Sequence, residues 1–229
     1  TMGKAIPTVE GWHSQHMVFT MDFSAWNCFT ADEKAAARNE LKAFLADLEA
    51  THQAKEGSYA FYDCNGAKGD LILWILGPSL EYLAQVERKF RRLAIASVLV
   101  QTYSYTSVTE VSAYVKAKLD TEEVNKKLYP HVPRDKYICF YNMTKKRDGA
   151  DNWFMLPQQE RGALMRSHGE LGKTYLDVLS EYTTGGVGLD DWEWGITIFS
   201  NDDIQFKKIV YDMRFEVASA KYGIFSDFY

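Results

Sequence analysis

An α+β fold made of two repeats of one β-α-β-β-α-β unit is the architecture that this sequence predicts, and three observations predict it. Short runs in which apolar residues alternate are interleaved with longer runs of three- and four-residue periodicity. The order of the runs is the same in both halves of the chain. The 229 residues, 46% of them hydrophobic, suffice for a buried core in one large domain or in two halves.

The first half opens on a strand over 13–23, alternating around Met17, Phe19 and Met21. A helix over 31–51 follows, because Leu41, Phe44, Leu45 and Leu48 fall at three- and four-residue steps. Thr30 is its natural N-cap, and Glu33 three residues on completes a capping box. Next come a strand over 58–64, a turn at Asn65-Gly66, a strand over 70–76, a helix over 79–92 and a strand over 98–108. After a polar stretch from Lys116 to Asp135 the rhythm restarts. A strand over 137–143 leads to a helix over 157–179, a turn region over 183–188, a strand over 193–199, a helix over 202–221 and the terminal segment 225–229. That order is a duplicated ferredoxin-like unit, and two such units in one chain can form a dimeric α+β barrel with helices outside. The expected division is residues 1–115 for the N-terminal half, 116–135 for a linker and 136–229 for the C-terminal half carrying the candidate site. The fold hosts many activities, so function has to be read from residues.

Composition narrows the classes. A net charge of -5 argues against a nucleic-acid surface, so an anionic ligand would have to meet a local basic cluster such as the one in residues 140–153. Three dispersed cysteines, Cys28, Cys64 and Cys139, give neither a disulfide framework nor zinc-ligand spacing, and make the cytoplasm the expected compartment. Apolar stretches are too short for a membrane span, and no signal peptide is expected.

Within 155–179, "MLPQQERGALMRSHGELGKTYLDVL", Pro157 suits a first helical turn, and Leu164, His168, Leu171, Tyr175 and Val178 fall on one stripe. An inward His168 is either a core histidine hydrogen-bonded to a neighbour or a ligand. Gly169 and Gly172 bear on the choice, since each lowers helix propensity by about 1 kcal/mol. Their missing side chains would let a flat ligand approach the backbone beside the imidazole, and a neutral imidazole in an apolar pocket is what an axial haem ligand requires. His13, His16, His52 and His131 form no pair at metal-ligand spacing, which disfavours a multi-histidine centre.

The strand around residue 141 reads "KYICFYNMTKKRDGADNW". Alternation puts Tyr137, Cys139, Tyr141, Met143 and Lys145 on one face and Ile138, Phe140, Asn142 and Thr144 on the other. A phenol that can supply a proton, an electron or a hydrogen atom then shares a face with an ammonium that can meet a carboxylate. The alternative is a strand that leaves the core, with Lys145, Lys146 and Arg147 solvated.

The segments "YPHVP", "KYICFYNMTKKRDGADNWFMLP", "RSHGELGKTY", "GLDDWEWGITIFS" and "DMRFEVASAKYGIF", with "RRLAIASVLVQTYSYTSVTEVSAY" upstream, resemble the coproheme decarboxylases. These are the peroxide-dependent haem-synthesis branch of the chlorite dismutase-like superfamily, and the resemblance runs from about Gly11 to the C-terminus. It implies conversion of iron-coproporphyrin III to haem b with hydrogen peroxide, two propionates becoming vinyls by way of a ferryl species and a tyrosyl radical. It implies that His168 is the axial iron ligand, that Tyr141 is the radical relay and that Lys145 is the propionate contact and proton-transfer group. Met143 lines the pocket, Tyr114, Lys127 and Ser219 anchor propionates, and Lys173 stands near the proximal side. Where chlorite dismutases place an arginine, thirteen residues after the histidine, this chain has Glu181, an acid that would repel chlorite; Glu181 is thus a candidate distal residue for peroxide. A homopentamer is implied, with coproheme and peroxide as the partners and neither nucleic acid nor membrane. A non-specific haem peroxidase and a non-catalytic haem carrier or sensor are the alternatives.

Overall fold

The computed structural model describes residues 3–229. In chain order it contains β1 (Thr8–Met21), α1 (Phe23–Asn27), α2 (Ala31–Gln53), β2 (Ser58–Asp63), β3 (Leu71–Gly77), α3 (Leu80–Arg91) and β4 (Leu99–Ser112). Then follow α4 (Ala113–Lys116), α5 (Thr121–Leu128), β5 (Tyr137–Lys145), the short pair β6 (Arg147–Asp148) and β7 (Asp151–Asn152), and α6 (Gln158–Lys173). The chain ends with β8 (Ser180–Gly185), β9 (Trp194–Ser200), α7 (Ile204–Met213), α8 (Val217–Ala220) and β10 (Gly223–Phe228). Two compact units result. One is built on Gly11–Val108 with Tyr129–Val132 and Tyr229; the other on Pro133–Phe228 with Thr109–Leu128 and the described residues up to Glu10.

In the unit built on Gly11–Val108 the strand order is β4-β1-β3-β2, with β1 antiparallel to β3 and β3 antiparallel to β2. Alternation sends Met17 and Phe19 of β1 and Leu73 and Ile75 of β3 to one face. There they meet Phe44 and Leu48 of α2 and Leu83, Val86 and Phe90 of α3. Each such side chain, fully buried, contributes about 1.5–3 kcal/mol. α2 begins where the sequence predicts: the Thr30 hydroxyl accepts from Glu33 N and the Glu33 carboxylate accepts from Thr30 N at 2.8 Å. The expected turn is also present, with Gly66 at φ 91°, a left-handed conformation that favours glycine.

The unit built on Pro133–Phe228 has the strand order β10-β5-β9-β8, so first, second, third and fourth strands take the same places as in the other unit. The face of β5 that carries Cys139, Tyr141 and Met143 packs with Ile196 and Ile198 of β9, Tyr175 and Leu179, and Phe206, Ile209, Val210 and Met213 of α7.

Three expectations change here. The first half of the turn region over 183–188 is strand: Thr183, Thr184 and Gly185 pair with Ile196, Gly195 and Trp194. The helix over 157–179 ends at Lys173, because the amides of Thr174, Tyr175 and Leu176 bond three residues back and the Thr174 hydroxyl donates to Leu171 O at 2.7 Å. Val178 therefore leaves the stripe and is exposed, whereas Tyr175 stays buried. The helix over 202–221 is two helices, separated where Glu216 adopts an extended backbone (φ -81°, ψ 133°). The polar stretch 116–135 contains α5, which is opened by a reciprocal pair of hydrogen bonds between Asp120 and Glu123.

Candidate functional site

α6, α8 and β5 supply the central residues. His168 lies past the middle of α6, its side chain 29% exposed, with Nδ1 3.2 Å from Glu216 Oε2. An ionised carboxylate only accepts, so Nδ1–H donates; in the neutral ring this tautomer leaves the lone pair on Nε2. Glu216 is 5% exposed at the side chain, and its other oxygen, Oε1, is buried without a hydrogen-bond partner. The break between α7 and α8 is what turns this carboxylate toward α6.

A carboxylate on the far nitrogen fixes the ring and raises its basicity toward a metal on Nε2. Beside His168, a Cβ added at Gly169 would meet nothing within 4 Å. At Gly172 a Cβ would make only an ordinary contact, 3.6 Å from Met213 Cε. Among the described residues no group of three or more His, Cys, Asp or Glu is arranged to hold a metal ion. One oriented imidazole with free backbone beside it suits an iron whose other ligands come from a flat macrocycle.

Lys145 ends β5 and is 5% exposed, which excludes the solvated strand end. Its Nζ donates to Ala218 O at 2.8 Å and stands 4.7 Å from the Trp153 ring centroid, while its backbone N donates to Glu193 Oε2 at 3.0 Å. Burial pushes the ammonium down from 10.5 to about 8, against the upward pull of Glu216 and Glu193. Lys146 is half-buried and Arg147 exposed.

Tyr141, at the middle of β5, stacks on Phe228 at 4.3 Å and meets Phe225 at 6.1 Å. Burial foremost, then the charges of Glu181 and Cys139, hold its phenol well above the ordinary value of 10, with Arg214 opposing. The phenol is therefore neutral near pH 7. Met143 lies across from Phe225 on one side and Trp194 on the other. The register also carries Glu181 to this face, since Glu181 pairs with Ile198 and Ile198 with Cys139. Its Oε1 accepts from the Thr183 hydroxyl at 3.2 Å.

The remaining expected positions lie on other parts of α4, α5, α6 and α8. The Tyr114 hydroxyl donates to Gln158 O at 3.1 Å, and its ring lies where a Cβ on Gly162 would come within 3.1 Å. Ser219 is buried in α8. Lys127 and Lys173 are exposed in the last turns of α5 and α6. A depression of about 370 Å³ bordered by Asp135, Leu176, Ser180, Asn201 and Gln205 includes none of the expected site residues. Sequence reasoning missed Glu216; its only signal was an acid inside an apolar-patterned helix, in "MRFEVAS".

Fold and side chains define an α+β protein of ferredoxin-like units in which one histidine of α6 is bonded to a buried carboxylate. The chain belongs to the chlorite dismutase family, whose model matches residues 34–229. A heme-binding protein from Thermus thermophilus is 42% identical to it, with a TM-score of 0.94 over 99% of this chain and 92% of that one. Chlorite dismutase from Candidatus Nitrospira defluvii in complex with imidazole is 18% identical, with a TM-score of 0.74 over 95% of this chain and 88% of that one. A mutant of the chlorite dismutase from that organism gives 17% and 0.74 over 96% and 93%. At such identities the dismutase structures speak for the fold alone.

Proposed function

We propose that this protein binds iron porphyrin through His168 and is a peroxide-dependent coproheme decarboxylase, turning two propionates of iron-coproporphyrin III into vinyls to give haem b. The single observation that carries the reading is the Tyr141–Lys145 face of β5, a half-buried neutral phenol and a buried ammonium brought down to about 8, in the unit that holds the Glu216-bonded His168.

His168 would ligate the iron through Nε2, with Glu216 fixing the ring. With peroxide, the iron supplies the two oxidising equivalents that each decarboxylation requires. Tyr141 would give up one proton and one electron, together one hydrogen atom, and the resulting phenoxyl would take a hydrogen atom from the propionate chain. Loss of carbon dioxide and one further electron leaves the vinyl. One peroxide and one proton are consumed per propionate, with two waters formed. Lys145 in its charged form meets the reacting carboxylate, and a value near 8 lets it deliver that proton near neutral pH. Tyr114, Lys127 and Ser219 are assigned to the other propionates, Met143 to the pocket wall and Lys173 to the proximal side. Glu181 is assigned to peroxide; its negative charge opposes chlorite. Exposed Leu176, Tyr211 and Phe215 offer apolar surface that a homopentamer would cover.

The test is to load the protein with ferric coproheme, add peroxide and follow mass. Two successive losses, each of carbon dioxide and two hydrogens, are expected from the wild type and none from Tyr141→Phe. Bleaching without those losses, or oxidation of added phenols at a rate indifferent to Tyr141, would assign a peroxidase instead. Tight haem binding with no turnover would assign a carrier.

A further inference from the structure

Arg161 lies in the first turns of α6 and is 7% exposed. Its guanidinium makes one hydrogen bond, from Nη2 to the backbone carbonyl of Lys4, and its Nε–H is buried without an acceptor. Among the described residues no carboxylate pairs with it; Glu160, its neighbour on α6, is exposed. A buried cation satisfied by a single neutral carbonyl is an unfavourable arrangement unless an anion completes it.

Its place on the helix indicates which anion. Arg161 and His168 are seven residues apart, which is two turns, so they share a face and stand about 10 Å apart along the axis. Leu164 and Met165, between them, pack against the cluster of Trp153, Ala218 and Tyr222. A flat ligand held at its centre by His168 and lying along α6 would bring a group on its rim to Arg161. Tyr114 is at the same end, its hydroxyl on Gln158 O and its ring beside Gly162. The amides that open α6 add to the positive potential there, because Pro157 provides no side-chain cap. The covering Lys4 carbonyl belongs to the segment before β1, which is neither helix nor strand.

We propose that Arg161, with the Tyr114 hydroxyl, receives a carboxylate on the rim of the porphyrin ligated by His168. This rests on the porphyrin binding set out under Proposed function. The incoming carboxylate takes the Nε–H edge of the guanidinium as a charge-assisted hydrogen bond and supplies the missing counter-charge.

The test reads binding and needs no turnover. Full-length protein is titrated with ferric coproporphyrin and with its tetramethyl ester, following the absorption band that His168→Ala removes. Arg161→Met is expected to weaken the free-acid complex about tenfold to a hundredfold and to leave the ester unchanged. Arg161→Lys, which keeps the charge and loses the fork, should fall between and serves alone if Arg161→Met does not fold. An equal loss for acid and ester would make Arg161 merely structural and overturn the assignment. Unchanged affinity for the free acid, with His168 ligation intact, would overturn it while leaving the porphyrin reading in place. If no porphyrin gives a His168-dependent band, both fall. Inorganic phosphate raising the melting temperature of porphyrin-free protein in an Arg161-dependent way would assign a free anion and overturn the rim carboxylate.

Discussion

Replacing Lys145 by methionine should remove a specific part of the protein's pH dependence of stability. A fall of the ammonium from 10.5 to about 8 on folding corresponds, at about 1.36 kcal/mol per pH unit, to about 3 kcal/mol. The sign follows from proton uptake. Between pH 8 and 10.5 the unfolded chain holds the proton and the folded one does not, so stability rises with pH across that window. It is fully present above 10.5 and lost as pH falls through 8. Of that amount about 2.5 kcal/mol should be regained between pH 7 and pH 10. At pH 7 itself the variant should differ little from wild type. Relief of the buried charge is offset by loss of the hydrogen bond to Ala218 O, about 1.5–3 kcal/mol for a charged donor, and of the contact with Trp153, about 1–2 kcal/mol. Urea unfolding of porphyrin-free protein at pH 7 and pH 10, at constant ionic strength, measures both arms. Wild type should gain about 2.5 kcal/mol more than Lys145→Met over that interval. Parallel curves would mean that Lys145 is not held down by burial, and its assignment as a proton donor near neutral pH would go with it.

Three further perturbations address the site and its scaffold. Gly169→Ala should stabilise the free protein by about 0.5–1 kcal/mol, visible as a higher melting temperature, because the added Cβ meets nothing; Gly169→Leu should weaken porphyrin binding at least about tenfold if this open space receives the ring. Glu216→Gln should cost about tenfold to a hundredfold in iron-porphyrin affinity by absorption titration, and should move Lys145 further down, since Glu216 is the leading group pulling it up. Thr30→Ala should destabilise the protein by about 1 kcal/mol in thermal melts, the cost of losing the reciprocal cap on α2.

The elements that sequence alone revealed are those whose signal is local. Met17 and Phe19 fall two residues apart, and Phe44 and Leu48 repeat at a helical step, so period gives both the type of element and the face that meets this core. Thr30 and Glu33 announce a helix start because a cap is a contact between residues three apart. β8 escaped because Thr183-Thr184-Gly185-Gly186 reads as a turn by composition, yet Thr183–Gly185 pair with β9, a partner that no local pattern reveals. The end of α6 escaped for a similar reason: Tyr175 and Leu179 remain buried and keep the apolar period, although the backbone from Thr174 onward has closed into tighter turns.

The site divides along the same line. Strand alternation placed Tyr141, Met143 and Lys145 together, and helix periodicity turned His168 away from full solvent, because each statement concerns a single element. What makes these residues chemically useful comes from elsewhere in the chain. Lys145 followed by Lys146 and Arg147 reads as a solvated cationic end. It becomes a buried ammonium only because α8 brings the Ala218 carbonyl to its Nζ and Trp153 covers it. His168 reads equally as a core histidine or as a ligand until Glu216, 48 residues later, takes its Nδ1. Glu216 can do so because the chain breaks its helix at that residue, a backbone choice hidden under the apolar spacing of Met213, Phe215 and Val217. The settings of Lys145 and His168 therefore both depend on one short segment, Glu216–Ser219, and a change there is expected to alter the proposed ligand and the proposed proton donor together.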